Sequence, residues 1–253
     1  MKVIFLGTGT SQGVPVIACQ CAVCRSEDSR DKRLRTSVYV ETDGTAIVID
    51  SGPDFREQML RTGIRKLDAV LYTHEHRDHI AGLDEVRSFN FVQQKPMDIY
   101  AEQRVITAIK QEYAYVFAEH KYPGIPELTV HTIDNVPFTV ENITVTPIRA
   151  MHLKLPLLGY RIKDFTYLTD ANSISAKEKE KMKGSKYLVI NGLRKKKHIS
   201  HFTLCEALEL IDEIKPEHAF ITHISHEMGF SKDVQAELPA NVTLAYDGLE
   251  LEF

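Results

Sequence analysis

At 253 residues, 43% hydrophobic and 26% charged, the chain has the make-up of an ordinary folded globular protein with a large core. Its 31 Lys and Arg against 35 Asp and Glu leave a net charge of −4, which argues against a dedicated nucleic-acid binder, since such proteins usually carry a basic excess; a local patch can override the net value. The opening apolar stretch, Val3 to Leu6, is too short for a signal-peptide core, and no stretch approaches the roughly 20 apolar residues of a spanning helix, so a cytoplasmic protein without a membrane partner is expected.

In chain order, Lys2 to Leu6 reads as a strand stopped at Gly7. Ser37 to Thr42 and Thr45 to Asp50 form a hairpin about Asp43-Gly44, a strong turn signal. Helical periodicity over Asp54 to Thr62 ends at Gly63. The strand Leu67 to Thr73 runs into His74, and helices are expected over Ile80 to Val92 and Gln103 to Phe117, with the strand Met97 to Ala101 between them. Strands follow at Leu128 to Ile133, Phe138 to Val140, Ile143 to Ile148, Tyr160 to Ile162 and Phe165 to Thr169, the last two joined at Lys163-Asp164. Helices over Ser175 to Met182, Thr203 to Ile214 (with a Thr203/Glu206 capping box) and Lys232 to Leu238 alternate with strands at Tyr187 to Ile190, Ala219 to Thr222 and Val242 to Ala245. The hairpins do not suit a simple parallel sheet; one α/β domain over residues 1–253, with two mixed sheets flanked by helices, suits them better.

The segment His74-Glu75-His76-Arg77-Asp78-His79 carries the most chemistry. His74 and His76, at i and i+2 in an extended segment, project to the same side, and Asp78 and His79 fall where the chain turns into a helix. Imidazoles joined by a carboxylate suit zinc, iron, manganese or nickel, and four such residues in six positions would be a rare accident for a solvated turn. Cys19, Cys21 and Cys24 crowd together as well, while Cys205 stands apart and reads as a small core residue within a helix. In a reducing compartment such a cluster is a metal clamp more often than a disulfide set, and a tetrahedral structural zinc needs a fourth ligand, for which His226 is better placed than Cys205.

The first motif resembles the His-x-His-x-Asp-His signature of the metallo-β-lactamase superfamily. Asp50-Ser51-Gly52 is similar to the family's early Asp-x-Gly element, and His152, Asp170 and His223 stand where its remaining ligands do. The resemblance implies an αβ/βα sandwich with two active-site divalent cations (Zn, Mn, Fe or Ni). One would be held by His74, His76 and His152 and the other by Asp78, His79 and His223. Asp170 would bridge them, and Asp50 would orient a ligand histidine through hydrogen bonds. Within the superfamily the chain resembles the phosphoribosyl 1,2-cyclic phosphate phosphodiesterase branch, where a Cys-x-Cys-x-x-Cys cluster and a histidine placed like His226 hold a structural zinc. The stretches Gly7 to Pro15, Asp54-Phe55-Arg56 and Ala245 to Gly248 resemble that branch too.

The resemblance implies a phosphodiesterase acting on a small cyclic phosphate, either phosphoribosyl cyclic phosphate or a cyclic nucleotide, through a hydroxide activated by two cations about 3.5–4 Å apart. Asp78 and Asp170 would orient the nucleophile, and His201, rather than its neighbour His198, would stabilise or protonate the leaving oxygen. The basic run Arg194 to Lys197 reads first as solvated loop and otherwise as an anion-attracting rim, with Arg33 and Arg35 as weaker candidates of that kind. The alternatives are a tRNA 3′-processing-type endonuclease, whose long exosite arm has no counterpart here, and a non-catalytic accessory protein of the pyrroloquinoline quinone biosynthesis type. Nucleic acid is therefore not favoured as a partner, and a homodimer is expected only at the level of the family.

Overall fold

The strand Lys2–Gly7 (β1) shows how the layers arise. Val3 and Phe5 point to one side and Ile4 and Leu6 to the other, as the two-residue period of a strand requires, and all four are buried. A strand apolar on both faces must be covered on both. In the computed structural model, which describes residues 1–120 and 122–253, Val3 and Phe5 join a core that also takes Val145, Tyr160, Tyr167 and Val189 from a second sheet. Ile4 and Leu6 face a separate core containing the helix residues Phe55, Met59, Val105 and Ile109.

After β1 the chain forms β2 (Ser37–Thr42), β3 (Thr45–Ile49), α1 (Phe55–Thr62), β4 (Ala69–Leu71), α2 (Arg77–Ile80), α3 (Arg87–Gln93), β5 (Met97–Ala101), α4 (Gln103–Glu112) and β6 (Leu128–Thr132). The second half repeats the pattern with β7 (Phe138–Val140), β8 (Ile143–His152), β9 (Leu155–Ile162), β10 (Phe165–Leu168), β11 (Ser173–Ile174), α5 (Ala176–Met182), β12 (Tyr187–Asn191), α6 (Leu204–Ile214), β13 (His218–Thr222), α7 (Ser231–Glu237) and β14 (Val242–Leu244). A last strand, β15 (Glu250–Glu252), returns to the first sheet, whose order is β15-β1-β2-β3-β4-β5-β6. The second sheet runs β11-β8-β9-β10-β12-β13-β14, with β7 beside β8. Each sheet starts as antiparallel strands and continues as parallel ones, from β3 onward in one and from β10 onward in the other. Helices cover both outer faces, α6 among them through Ala207, Leu210 and Ile214, so two mixed sheets flanked by helices form the expected αβ/βα sandwich.

Local chemistry explains where expectation and structure part. Asp43 and Gly44 both take positive φ, 50° and 77°, as a two-residue hairpin requires. The single helix expected over Ile80 to Val92 is instead α2, a 3-10 turn at Leu83–Val86 and α3. The break falls at Gly82, whose N–H donates to the Ser51 carbonyl at 2.8 Å; a Cβ there would lie 2.0 Å from the Gly52 carbonyl oxygen. That approach of distant backbone has no local signature. Likewise α4 stops at Glu112 and gives way to a 3-10 turn at Ala114–Phe117, β8 runs four residues past Ile148 to His152, and β11 and β15 went unanticipated. Among the described residues no helix is long and apolar enough to cross a membrane.

Candidate metal centre

Parallel strands end together at one edge of each sheet, and several residues of the site stand just beyond those ends. Asp50 follows β3, Thr73 and His74 follow β4, Asp170 follows β10 and His223 follows β13. Asp50, Asp170 and His223 take positive φ, 65°, 63° and 54°, so the chain turns sharply as it leaves each strand. Asp and His are among the few non-glycine residues tolerated there, and such conformations gather at functional sites.

Buried Asp50 organises the first-sheet half. One oxygen accepts the Thr73 N–H at 2.8 Å; the other accepts the Thr73 hydroxyl at 2.8 Å and His79 Nδ1–H at 2.7 Å. Because the Thr73 hydroxyl spends its proton on Asp50, its oxygen is free to accept His74 Nδ1–H at 2.9 Å. Both histidines are thereby set with Nε2 as a lone-pair donor. In the second-sheet half, His152 Nδ1–H donates to the carbonyls of Asp170 and Ser200, each at 2.8 Å, which leaves its Nε2 free as well.

Asp170 lies at the centre. Its Oδ2 is 3.1 Å from His223 Nδ1 and 3.3 Å from His79 Nε2, and Asp78 Oδ2 is 3.2 Å from the same His79 nitrogen. The ligand atoms of Asp78, His79, Asp170 and His223 lie within 4.8 Å of one another, as do those of His152, Asp170 and His201. His74 Nε2 faces His76 Nδ1 at 3.0 Å, and the His152 ring centroid is 5.1 Å from that of His76.

The charge pattern tests whether these residues suit cations. His79 Nε2, His223 Nδ1 and His201 Nδ1 are buried without a hydrogen-bond partner. Burial alone would hold His79 neutral, yet Asp78, Asp170 and Asp50 raise it well above the ordinary imidazole range. Burial likewise opposes ionisation of Asp170, but His223 and His79 hold it well below the usual carboxylate range. Burial, reinforced by His79, pushes His74 far down. Buried nitrogens without partners, set against anionic oxygens, suit divalent cations, and this donor set fits them.

His201 stands against the same group. Its ring lies 4.5 Å from that of His152 and stacks on His223 at 4.8 Å, with Nδ1 3.9 Å from Asp170 Oδ1. Burial and His223 push it down to about 3, so the imidazole is neutral near pH 7. His198 packs 5.1 Å from the His201 ring.

The thiols of Cys19, Cys21 and Cys24 approach His226 Nδ1 to 3.3, 3.3 and 3.4 Å. Sulfur and nitrogen ligands of one tetrahedral zinc would stand about 3.6 Å apart, so this set also fits its ion. The Cys24 N–H, followed by His226, lowers Cys21 to about 6, and burial raises Cys24 to about 11. Backbone bonds already tie the two segments, since the Thr10 N–H donates to the Ile224 carbonyl and the Ile224 N–H to the Thr8 carbonyl.

Several expectations need correction. Cys205 is exposed at the start of α6 rather than a core residue, because its position faces away from the sheet. Arg33 is buried, donates to Thr8 Oγ1, the Ala245 carbonyl and Ser231 Oγ, and feels the charges of Asp31 and Asp247, so it braces the fold rather than lining a rim for a substrate anion. Arg35 is paired with Asp54 at 2.9 Å. In the basic run, Arg194 pairs with Glu227 and Lys195 with Glu237, which offsets two of its charges. Thr73 escaped the sequence reading, as did Asn191, whose amide pins both the N–H and the carbonyl of Ala171 beside Asp170. Thr73 adjoins His74 and could have been suspected; Asn191 carries no local signal.

A family model described as beta-lactamase superfamily domain matches residues 45–224. The crystal structure of a diphosphatase from the PhnP family is 38% identical, with a TM-score of 0.93 over 100% of this chain and 97% of that one. An octanoyltransferase of Porphyromonas gingivalis is 45% identical over 99% of this chain and 51% of its own length. Coenzyme PQQ synthesis protein B of Xanthomonas oryzae pv. oryzae is 29% identical over 58% of this chain and 51% of its own. The chain thus spans about half the length of the curated relatives it matches.

Proposed function

The chain belongs to the beta-lactamase superfamily domain family, as a metallo-β-lactamase-fold hydrolase of the PhnP branch, and from that premise we propose that it cleaves phosphoric ester or anhydride bonds of a small substrate, with cyclic phosphates as the leading class. The observation that carries this reading is the ring of orphaned buried nitrogens from His79, His223 and His201 about Asp170, with Asp78 beside them. His74, His76 and His152 would hold one divalent cation, Asp78, His79 and His223 a second, and Asp170 both. Zinc, manganese, iron and nickel all suit these donors. Such a pair supplies Lewis acidity and lowers the proton affinity of water at neutral pH.

The protein's own groups do the remaining work. Asp50 and Thr73 hold His79 and His74 in one tautomer, so their Nε2 atoms stay aimed inward. Asp78 and Asp170 orient the attacking water, and Asn191 keeps the turn after Asp170 from shifting. Neutral His201 donates an N–H to a phosphoryl oxygen as negative charge develops there, and takes up a proton more readily once an anionic substrate sits against it. Cys19, Cys21, Cys24 and His226 would hold a structural zinc that stiffens the loop beside His223.

The Porphyromonas relative is named for octanoyl transfer, but only about half of its length is matched. The deciding measurement is hydrolysis of bis(p-nitrophenyl) phosphate and of a ribose 1,2-cyclic phosphate by chelated protein resupplied with Mn²⁺ or Zn²⁺. Turnover restored by metal is expected. Resupplied protein that binds metal yet hydrolyses neither ester would favour an accessory role.

A further inference from the structure

The two sheets meet along a seam beside the metal centre. Past the end of β4, the Tyr72 carbonyl accepts the Tyr160 hydroxyl at 2.6 Å and the Thr73 carbonyl accepts the Leu158 N–H at 3.1 Å, both from β9. The next position of β9 in that alternation is Pro156, which has no N–H to donate. A side chain continues the seam there. Arg104, in the first turn of α4, donates through Nη1 to the Glu75 carboxylate and through Nη2 to the Pro156 carbonyl. Glu75 lies between His74 and His76, in a segment that belongs to no strand. Pro156 pairs with Met151, and Leu155 with His152, across the β8–β9 hairpin. Glu102, directly before α4, adds a link to the same hairpin: it accepts Arg149 Nη1 at 2.7 Å, takes Arg149 Nη2 as well, and stands 3.5 Å from Arg104 Nε. Fully exposed ion pairs hold little, but the side chains of Glu75, Arg104, Glu102 and Arg149 are at most 28% exposed and form one alternating network.

We propose that Arg104 is a positioning residue of the metal centre: it holds the His74–His76 segment against the hairpin that carries His152, and so sets the spacing of the three imidazoles that would share one cation. The proposal rests on the metal-dependent hydrolase reading above and deepens it. His74 and His76 come from the first sheet and His152 from the second, so their spacing depends on how the two sheets meet. The backbone bonds of the seam stop at Thr73, one residue short of the first ligand, and Arg104 carries the tie into the ligand segment itself. A guanidinium suits this task, because its planar fork meets two acceptors at once in fixed directions, which an ammonium on a flexible stem does not. The other group is held differently: His79 is fixed by Asp50, and His223 by the bond from the Ile224 N–H to the Thr8 carbonyl. Loss of Arg104 therefore loosens one cation and spares the other.

The test is titration of the chelated full chain with Co²⁺, followed by visible absorption and by competition with a chelator. Thiolate charge-transfer bands mark Co²⁺ on the cysteines, so the two binding steps at the imidazoles and carboxylates stand apart. Arg104→Met should weaken one of those two steps by about 10- to 100-fold and shift its absorption, with the other step kept within about twofold. The weakened step should be the one that His76→Ala abolishes. Arg104→Lys, which keeps the charge but not the fork, should not restore it. Glu75→Gln should weaken the same step, and adding it to Arg104→Met should cost less than about twofold more, since both remove one link. Glu75→Gln alone decides the matter if Arg104→Met does not fold. Two steps weakened alike, neither step weakened, or losses that add in the double variant overturn the positioning role. Selective loss of that step in a protein whose wild type hydrolyses no phosphate ester would instead overturn the reaction and leave the role of Arg104 standing.

Discussion

The two candidate metal clusters lie only three residues apart at one point, His223 and His226, yet they are built in opposite ways. The Cys19, Cys21, Cys24 and His226 set sits on loops, offers soft thiolates and no carboxylate, and includes the exposed Cys21. The set around Asp170 is almost wholly buried at strand ends, mixes imidazoles with carboxylates, and is held by hydrogen bonds from Asp50, Thr73 and Asn191 that need no ion. Four soft ligands close a tetrahedral shell and leave nothing for a substrate; a bridging carboxylate among imidazoles leaves positions open. The contrast teaches that a closed shell of soft ligands suits a structural role between loops, whereas ligands braced from behind with a shared carboxylate suit an open, reactive centre.

Asp170→Asn is the strongest way to break that contrast. Amide for carboxylate removes the anion common to His79, His223 and the His152 group, so hydrolysis of bis(p-nitrophenyl) phosphate should fall by at least about 10³-fold, an effect of several kcal/mol. Elemental analysis should show active-site metal lost and the cysteine-bound zinc retained. Loss of all metal together would mean that the two clusters are one cooperative unit.

Thr73→Val keeps shape but deletes the hydroxyl between His74 and Asp50. Chelator competition should show active-site metal held about 10- to 100-fold more weakly, as for other groups that orient a ligand from behind, while Thr73→Ser stays near wild type. A Val variant with unchanged affinity would show that His74 needs no such support. Cys21→Ser tests the opposite pole. It should lose one zinc and lower the melting temperature by about 5 °C, with turnover kept within several-fold, and a collapse of kcat alone would give the thiols a part in chemistry.

How much of this was legible in advance follows the range of each interaction. His74 to His79 lie within six positions, and the three clustered thiols within a similar span, so spacing alone exposes them. The alternation of β1 and the Asp43-Gly44 turn were legible for the same reason. His152, Asp170 and His223 are lone residues at strand ends, visible only through resemblance to a family. Gly82 breaks a periodic helix because Gly52, thirty positions away, needs its space. Asn191 was invisible because its grip on Ala171, twenty positions away, is a tertiary fact. His201 was found, but its place against His152 and Asp170 was not, since burial decides that and no residue spacing reports it.

The smallest effect concerns pH and the chelated protein. Without cations, Asp78, Asp170 and Asp50 keep His79 protonated well above its ordinary range. A raised folded-state value contributes stability that is fully present below the unfolded value, about 6.5, and is lost as pH climbs through the folded one. Asp170 has the opposite sign: its lowered value contributes above the usual carboxylate range and is lost only in acid. The chelated protein should therefore melt a few degrees lower at pH 9 than at pH 6.5, whereas bound cations displace the proton from His79 and remove that slope. Calorimetric melting of chelated wild type beside chelated His79→Gln isolates the group, because glutamine carries no proton to lose. An equal alkaline slope in both would place the buried positive charge on another residue, and the strand-end cluster would then owe its shape to hydrogen bonds without help from the His79 charge.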